Sequence, residues 1–240
     1  MLSFNNFPAS YPSNWQRYVH QYALALQLFY LTDVAGISSD IITSGMFSTT
    51  TEMPHEYMYN QIGSASYRQH FINWAAHMTN DFDFITPQQA ATNLNEWNTY
   101  ADPLDDNEFI AIYDNEGSNG WVTPDIDDMT HAWSFNTYKL LNNQNEFYTF
   151  ELKTDPQGSF GSPSYFQGKL VVKNSTTGTA FYDLSNFGGI NQELALFELS
   201  PEDTEVFLIV ASMPEVFQDV NVSFQRFPYE VRITKGNTQG

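Results

Sequence analysis

The sequence predicts an α+β protein in which helices and strands are segregated, with an N-terminal helical subdomain packed on an antiparallel, jelly-roll-like β-sandwich. Three observations point there. Apolar residues recur at the helical period up to about residue 100 and at a period of two beyond residue 107. Turn-forming runs cut the second half into seven short strand-like pieces. The acidic residues concentrate where the pattern changes. Residues 101–131 hold nine carboxylates and no Lys or Arg, so −9 of the net charge of −19 lies at the join. The division is a helical subdomain over 1–100, a sandwich domain over 101–236 and a tail over 237–240.

The first helix is expected over 14–37, where Tyr18, Val19, Tyr22, Leu26, Phe29 and Tyr30 recur at helical spacing. Asn14 can cap its start and Gly36 can end it. Shorter helices follow over 38–47 and 54–63, the latter opening on Pro54 at its first turn. A fourth helix, 66–81, gathers Phe71, Trp74, Ala75 and Met78 on one side, and Thr86-Pro87 starts a fifth over 86–100. The strand-like pieces are 108–114, 147–154, 168–174, 178–185, 193–200, 205–213 and 229–235. Seven short strands broken by runs such as NSTTG, NFGGIN and SPED describe a two-layer β fold.

Charge and composition exclude several functions. With 28 acidic and 9 basic residues, the chain lacks the clustered Lys and Arg that nucleic acid or an anionic membrane requires. No apolar run approaches the length of a membrane span, about 20 residues. The first residues have neither the basic nor the long apolar region of a signal peptide. The absence of cysteine removes disulfides, thiol nucleophiles and thiolate metal sites. An acidic, aromatic, Asn-rich composition suits an exported bacterial protein, so a secreted location is expected.

Four groups of residues are candidates for chemistry. His55-Glu56 begins the zinc-peptidase pattern H-E-x-x-H, in which two histidines four apart share one helix face and one zinc. The second ligand position holds Tyr59, whose phenol must lose a proton before it binds metal, so the competing reading is an ordinary helix start. The acidic join is a candidate calcium site through Asp114, Glu116, Asp125, Asp127 and Asp128, because calcium takes six to eight oxygen ligands from such loops. A solvated acidic loop is the alternative, and the spacing is not that of an EF-hand. Trp121, Trp133 and Tyr113, with Tyr138, are candidates for a ligand surface on which a sugar ring stacks; core packing is the alternative. His70 and His77 lie seven apart on one helix face, about 10 Å along the axis, too far for one metal. There is no G-x-S-x-G elbow, phosphate-binding loop or dinucleotide fingerprint, and paired carboxylates for glycoside cleavage carry no specificity in so acidic a chain.

Taken together, YVHQYALALQLFYLTDVAGIS (18–38), WVTPDIDDMTHAWSFNTYKL (121–140), GKLVVKN with GTAFYDL, EVFLIVASMPEVF (205–217) and FPYEVRI (227–233) resemble the distal part of a family of large secreted bacterial proteins of unknown function. That resemblance implies a metallopeptidase-like helical domain followed by a β-sandwich. It also implies that a zinc-binding helix, where the family has one, precedes the region of Tyr18, so no zinc ligand is carried onto this chain. The expectation is a non-catalytic accessory or binding region of an exported protein, stabilised by calcium, with an upstream domain as a partner and a glycan or protein as ligand. Two alternatives stand beside it: a carbohydrate-binding or carbohydrate-active module, and a fragment of a metallopeptidase-like hydrolase without its zinc-binding helix.

Overall fold

A computed structural model describes residues 3–4, 26–47, 54–80, 111–113, 121–124, 130–140, 147–154, 164–184, 193–200, 202–214 and 226–236. The chain divides into two compact units, one formed by residues 8–103 and the other by residues 104–240 together with 3–7. Helices occupy the first and strands the second, the α+β segregation that the two periodicities predict. The fifth expected helix, 86–100, lies outside the described residues, as does the first half of the first helix.

In the helical unit, residues 26–29 are α-helical and run into a π-helical turn, Tyr30–Val34. The Ala35 N–H there reaches back five residues to the Tyr30 carbonyl, 2.9 Å away. Gly36 follows at φ +68°, a left-handed conformation that ends a helix cheaply only when no Cβ is present. Helices α1 (Ser39–Phe47), α2 (Pro54–Ile62) and α3 (Ser64–Thr79) come next. Gly45 allows α1 to approach α2 closely, since a Cβ there would lie 3.2 Å from Met58 and Tyr57 side-chain carbons. Gly63, at φ +92°, separates α2 from α3, a backbone conformation that glycine adopts without a Cβ penalty. The apolar side of α3 is buried as its spacing predicts: Phe71, Trp74 and Ala75 are almost wholly enclosed, and Met78 nearly so.

The second unit is a sandwich. Its strands are β1 (Ser3–Phe4), β2 (Ala111–Tyr113), β3 (Thr130–His131), β4 (Ser134–Leu140), β5 (Phe147–Thr154), β6 (Ser164–Asn174), β7 (Gly178–Leu184), β8 (Glu193–Glu198), β9 (Asp203–Pro214), β10 (Arg226–Phe227) and β11 (Tyr229–Gly236). Among the described residues, one sheet runs β1-β4-β9-β6-β7 with β2 also on β4, and the other runs β11-β5-β8; β3 and β10 form a short pair. The chain passes back and forth between the sheets: β5, β8 and β11 lie in the small sheet, and β4, β6, β7 and β9 in the large one, where β6 and β7 form a hairpin. The long strands pair antiparallel. The two short strands β1 and β2 instead join one edge of β4 in parallel, at its beginning and its end. At the β6–β7 turn, the Asn174 side chain accepts from the Thr176 and Thr177 amides, both 2.9 Å away.

Side chains alternate across each strand, and the inward set meets between the sheets. Leu170, Val172, Val206, Leu208 and Val210 from the large sheet pack with Phe150, Leu152, Val231 and Ile233 from the small one. Phe207, Ile209, Ala211 and Met213 point to the opposite face of β9 and are also buried. A strand covered on both sides reads as a continuous apolar run, which explains EVFLIVASM.

Candidate ligand surface around Trp121

The outward face of the small sheet carries a strip of charge built from two strands. Register places Glu230 of β11 opposite Lys153 of β5, and Arg232 opposite Glu151 two residues further along. Both pairs therefore fall on the same face, opposite the core residues Val231 and Leu152. Each closes as an ion pair. Arg232 donates from Nε and Nη2 to the two oxygens of Glu151, the Nη2 bond being 2.5 Å long, and Lys153 Nζ donates to Glu230. The Glu151 hydrogen bond raises the Arg232 pKa above its ordinary value, so the guanidinium remains charged throughout. Signs alternate along and across the strands, and the four groups sum to zero.

Trp121 lies over this strip. Val122 bridges to Val231 through two backbone hydrogen bonds of 2.8 and 2.9 Å, extending the small sheet past the edge of β11. Val231 faces the core, so the alternation puts the neighbouring Trp121 on the outer face. Its ring centroid is 4.7 Å from the Arg232 guanidinium carbon and 5.8 Å from Lys153 Nζ. Cations at those distances are held by the ring quadrupole and fix the indole against the sheet. Trp121 is half-buried, Lys153 is 51% exposed, and Arg232 and Glu230 are each close to a third exposed. A half-buried aromatic is thus held beside four hydrogen-bonding groups.

The other sequence candidates are placed differently. Trp133 is enclosed, with 2% of its surface exposed, and holds a left-handed backbone at φ +54° between β3 and β4. It packs as a core aromatic and offers no stacking face. Tyr138 is buried between the sheets, where its hydroxyl is hydrogen-bonded to that of Tyr229, which also accepts from Asn136 Nδ2 at 2.5 Å. Tyr113 ends β2 in register with Leu140. Asp114, Glu116, Asp125, Asp127 and Asp128 lie outside the described residues. Among the described residues, no three His, Asp or Glu side chains are grouped to hold a metal ion.

The His55-Glu56 start is built into a packed helical cluster. The His55 ring meets Tyr67 edge-on at 5.0 Å, and burial lowers its pKa from 6.5 to about 3. Tyr59, at the second ligand position of the zinc pattern, accepts a 3.2 Å hydrogen bond from Arg68 Nη1 and lies 6.0 Å from Tyr67. Gln27 Nε2 reaches the Tyr67 hydroxyl at 3.5 Å, and burial raises that phenol's pKa. These residues bind one another. On α3, His77 lies 5.4 Å from the Tyr30 ring, and burial lowers the His70 pKa.

A second charged row crosses the other face of the large sheet. Glu205 joins Lys139 at 2.9 Å and Lys173 at 3.1 Å, and both ammonium groups lie within 6 Å of the Phe207 ring centroid. Burial pushes the Glu205 pKa up, but the two lysine hydrogen bonds outweigh it and hold the carboxylate below its ordinary value. Lys169 pairs with Asp183 at 2.7 Å. This row has no partly exposed ring at its centre, since Phe207 is 2% exposed. The signal for Trp121 was visible in sequence as an aromatic beside the acidic loops; its charged partners, 32 and 111 positions away, were not.

No protein-family profile matches the chain, and no curated protein matches it. Among solved structures, the chain is similar to the N-terminal CBM22-1–GH10 modules of endo-1,4-beta-D-xylanase 10B from Clostridium thermocellum, complexed with xylohexaose, at 15% identity and a TM-score of 0.32. That alignment covers 53% of this chain and 24% of the xylanase chain. A family GH115 4-O-methyl-alpha-glucuronidase with specificity for decorated arabinogalactans aligns at 7% identity and a TM-score of 0.27, over 96% of this chain and 34% of that one. The insecticidal delta-endotoxin Cry8Ea1 of Bacillus thuringiensis aligns at 8% identity and a TM-score of 0.20, over 50% of this chain and 19% of that one. The chain spans about a quarter of the length of the first of these and about a third or less of the others. Superpositions this loose define no shared function, so the functional reading rests on the geometry of the site.

Proposed function

We propose that this chain is a non-catalytic binding region of an exported protein, and that it holds a glycan on the outer face of the three-stranded sheet. The observation that carries this reading is Trp121, a part-exposed indole over Arg232 and Lys153 on the outer face of the three-stranded sheet. A pyranose presents an apolar ring face bordered by hydroxyls. A flat aromatic bordered by donors and acceptors complements it, with the aromatic supplying contact area and the polar groups fixing orientation. Binding suits the site better than cleavage. Its two carboxylates are each closed onto a cation, Glu151 by two hydrogen bonds and Glu230 by one.

Affinity electrophoresis and calorimetry against soluble glycans test the reading. The wild-type chain is expected to be retarded by at least one glycan, and Trp121→Ala to weaken that binding by roughly tenfold, the effect of losing about 1.4 kcal/mol. Retardation that is equal for both proteins would mean that the indole is not the platform.

A further inference from the structure

We infer that the Trp121 face selects uncharged oligosaccharides over acidic ones, an inference that rests on the glycan reading above. The strip beneath the indole holds two cations and two carboxylates, each cation committed to one carboxylate across the β5–β11 ladder. These four groups therefore carry no net charge between them. A carboxylated sugar that reached Arg232 or Lys153 would bring its charge beside Glu151 or Glu230, whose like charge opposes it. It would do so against the field of a chain whose net charge is −19.

A hydroxyl meets no such opposition, because it donates and accepts at once. The ion pairs leave capacity for it. A guanidinium has five N–H donors, and among the described residues Arg232 spends two of them on Glu151. The Lys153 ammonium has three, of which one goes to Glu230. The carboxylates keep lone pairs beyond those engaged. Donors and acceptors thus alternate beside the indole.

The test is calorimetric titration of the 240-residue chain with two oligosaccharides of matched length, one neutral and one bearing uronic acids. The neutral ligand is expected to bind through Trp121, with an affinity that changes less than about twofold between low salt and about 0.5 M NaCl, because no net charge is neutralised. The acidic ligand is expected to bind at least about fivefold more weakly at low salt, with the gap narrowing as salt screens the chain. Glu230→Gln, which leaves Lys153 uncompensated at the surface, is expected to raise the affinity for the acidic ligand about threefold. Trp121→Phe keeps a ring in place and is expected to retain part of the affinity if Trp121→Ala perturbs folding. An acidic ligand that binds through Trp121 as tightly as the neutral one at low salt would overturn the selectivity while leaving glycan binding in place. So would a Glu230→Gln protein with unchanged affinity for the acidic ligand. Failure of both ligands to bind would overturn the glycan reading itself.

Discussion

Acidification should destabilise the helical unit through one side chain, His55. Its ring sits in the first turn of α2, 9% exposed and edge-on to Tyr67. Burial lowers its pKa from 6.5 to about 3. Since the folded-state value lies below the unfolded one, the unfolded chain binds the proton more readily at every pH below 6.5. Stability is fully present above pH 6.5 and is lost as pH falls from there toward about 3. At 1.36 kcal/mol per pH unit, the loss is about 2 kcal/mol at pH 5 and about 3 kcal/mol at pH 4, relative to pH 8. That is a large part of the 5–15 kcal/mol typical of a whole domain. The assay is urea unfolding followed by helical circular dichroism across this pH range, for the wild type and for His55→Phe. Phenylalanine keeps a ring against Tyr67 but cannot titrate. Both proteins share the same 28 acidic residues, so the difference between them cancels the titration of the carboxylates. The wild type is expected to lose about 2 kcal/mol more than the variant between pH 8 and pH 5. A difference that stays flat over that interval would refute the argument from burial.

Three further outcomes are expected. Gly63→Ala should cost about 1–3 kcal/mol through backbone strain alone, because Gly63 sits at φ +92° with nothing within 4 Å of an added Cβ; equal urea midpoints would show that the α2–α3 break does not need glycine. Tyr229→Phe removes the hydroxyl shared by Tyr138 and Asn136 in the sandwich core and should cost about 1–3 kcal/mol, read as a lower unfolding midpoint at unchanged slope. If the acidic join binds calcium, excess calcium after EDTA should raise the melting temperature and Asp125→Ala or Asp127→Ala should abolish the rise; an unchanged melting temperature would identify a solvated loop.

Much of the architecture was legible because it depends on local periodicity. The segments GTAFYDL and FYTFELKT were bounded to within a residue, since alternation and flanking turns define a strand without reference to its partners. α3 was equally clear from Phe71, Trp74, Ala75 and Met78. β4 was missed for an instructive reason. Its inward positions are Ser134, Asn136 and Tyr138, all buried but polar, so no apolar alternation marks them. They are tolerated because partners such as the Tyr229 hydroxyl, on another strand and 93 residues from Asn136, satisfy them. The parallel pairing of β1 and β2 with β4 was hidden for a similar reason, since two- and three-residue strands carry no pattern of their own.

The site divides along the same line. Trp121 and Trp133 were equivalent in sequence, two tryptophans beside the acidic join. Tertiary structure separated them, enclosing Trp133 and leaving Trp121 half-buried over Arg232 and Lys153. His55-Glu56 likewise carried half of a zinc pattern, and packing committed His55 to Tyr67 and Tyr59 to Arg68.

By itself the sequence determined the segregation of helices from strands, the strongly acidic character and the absence of cysteine chemistry, because periodicity and composition are properties of neighbouring residues or of simple sums. Only the tertiary structure decided which aromatic faces solvent, which strands share a sheet, and that four charged residues cancel beneath one indole. Those outcomes depend on register between strands some 80 residues apart, such as Glu151 and Arg232, where a slip of one position would turn each side chain to the opposite face.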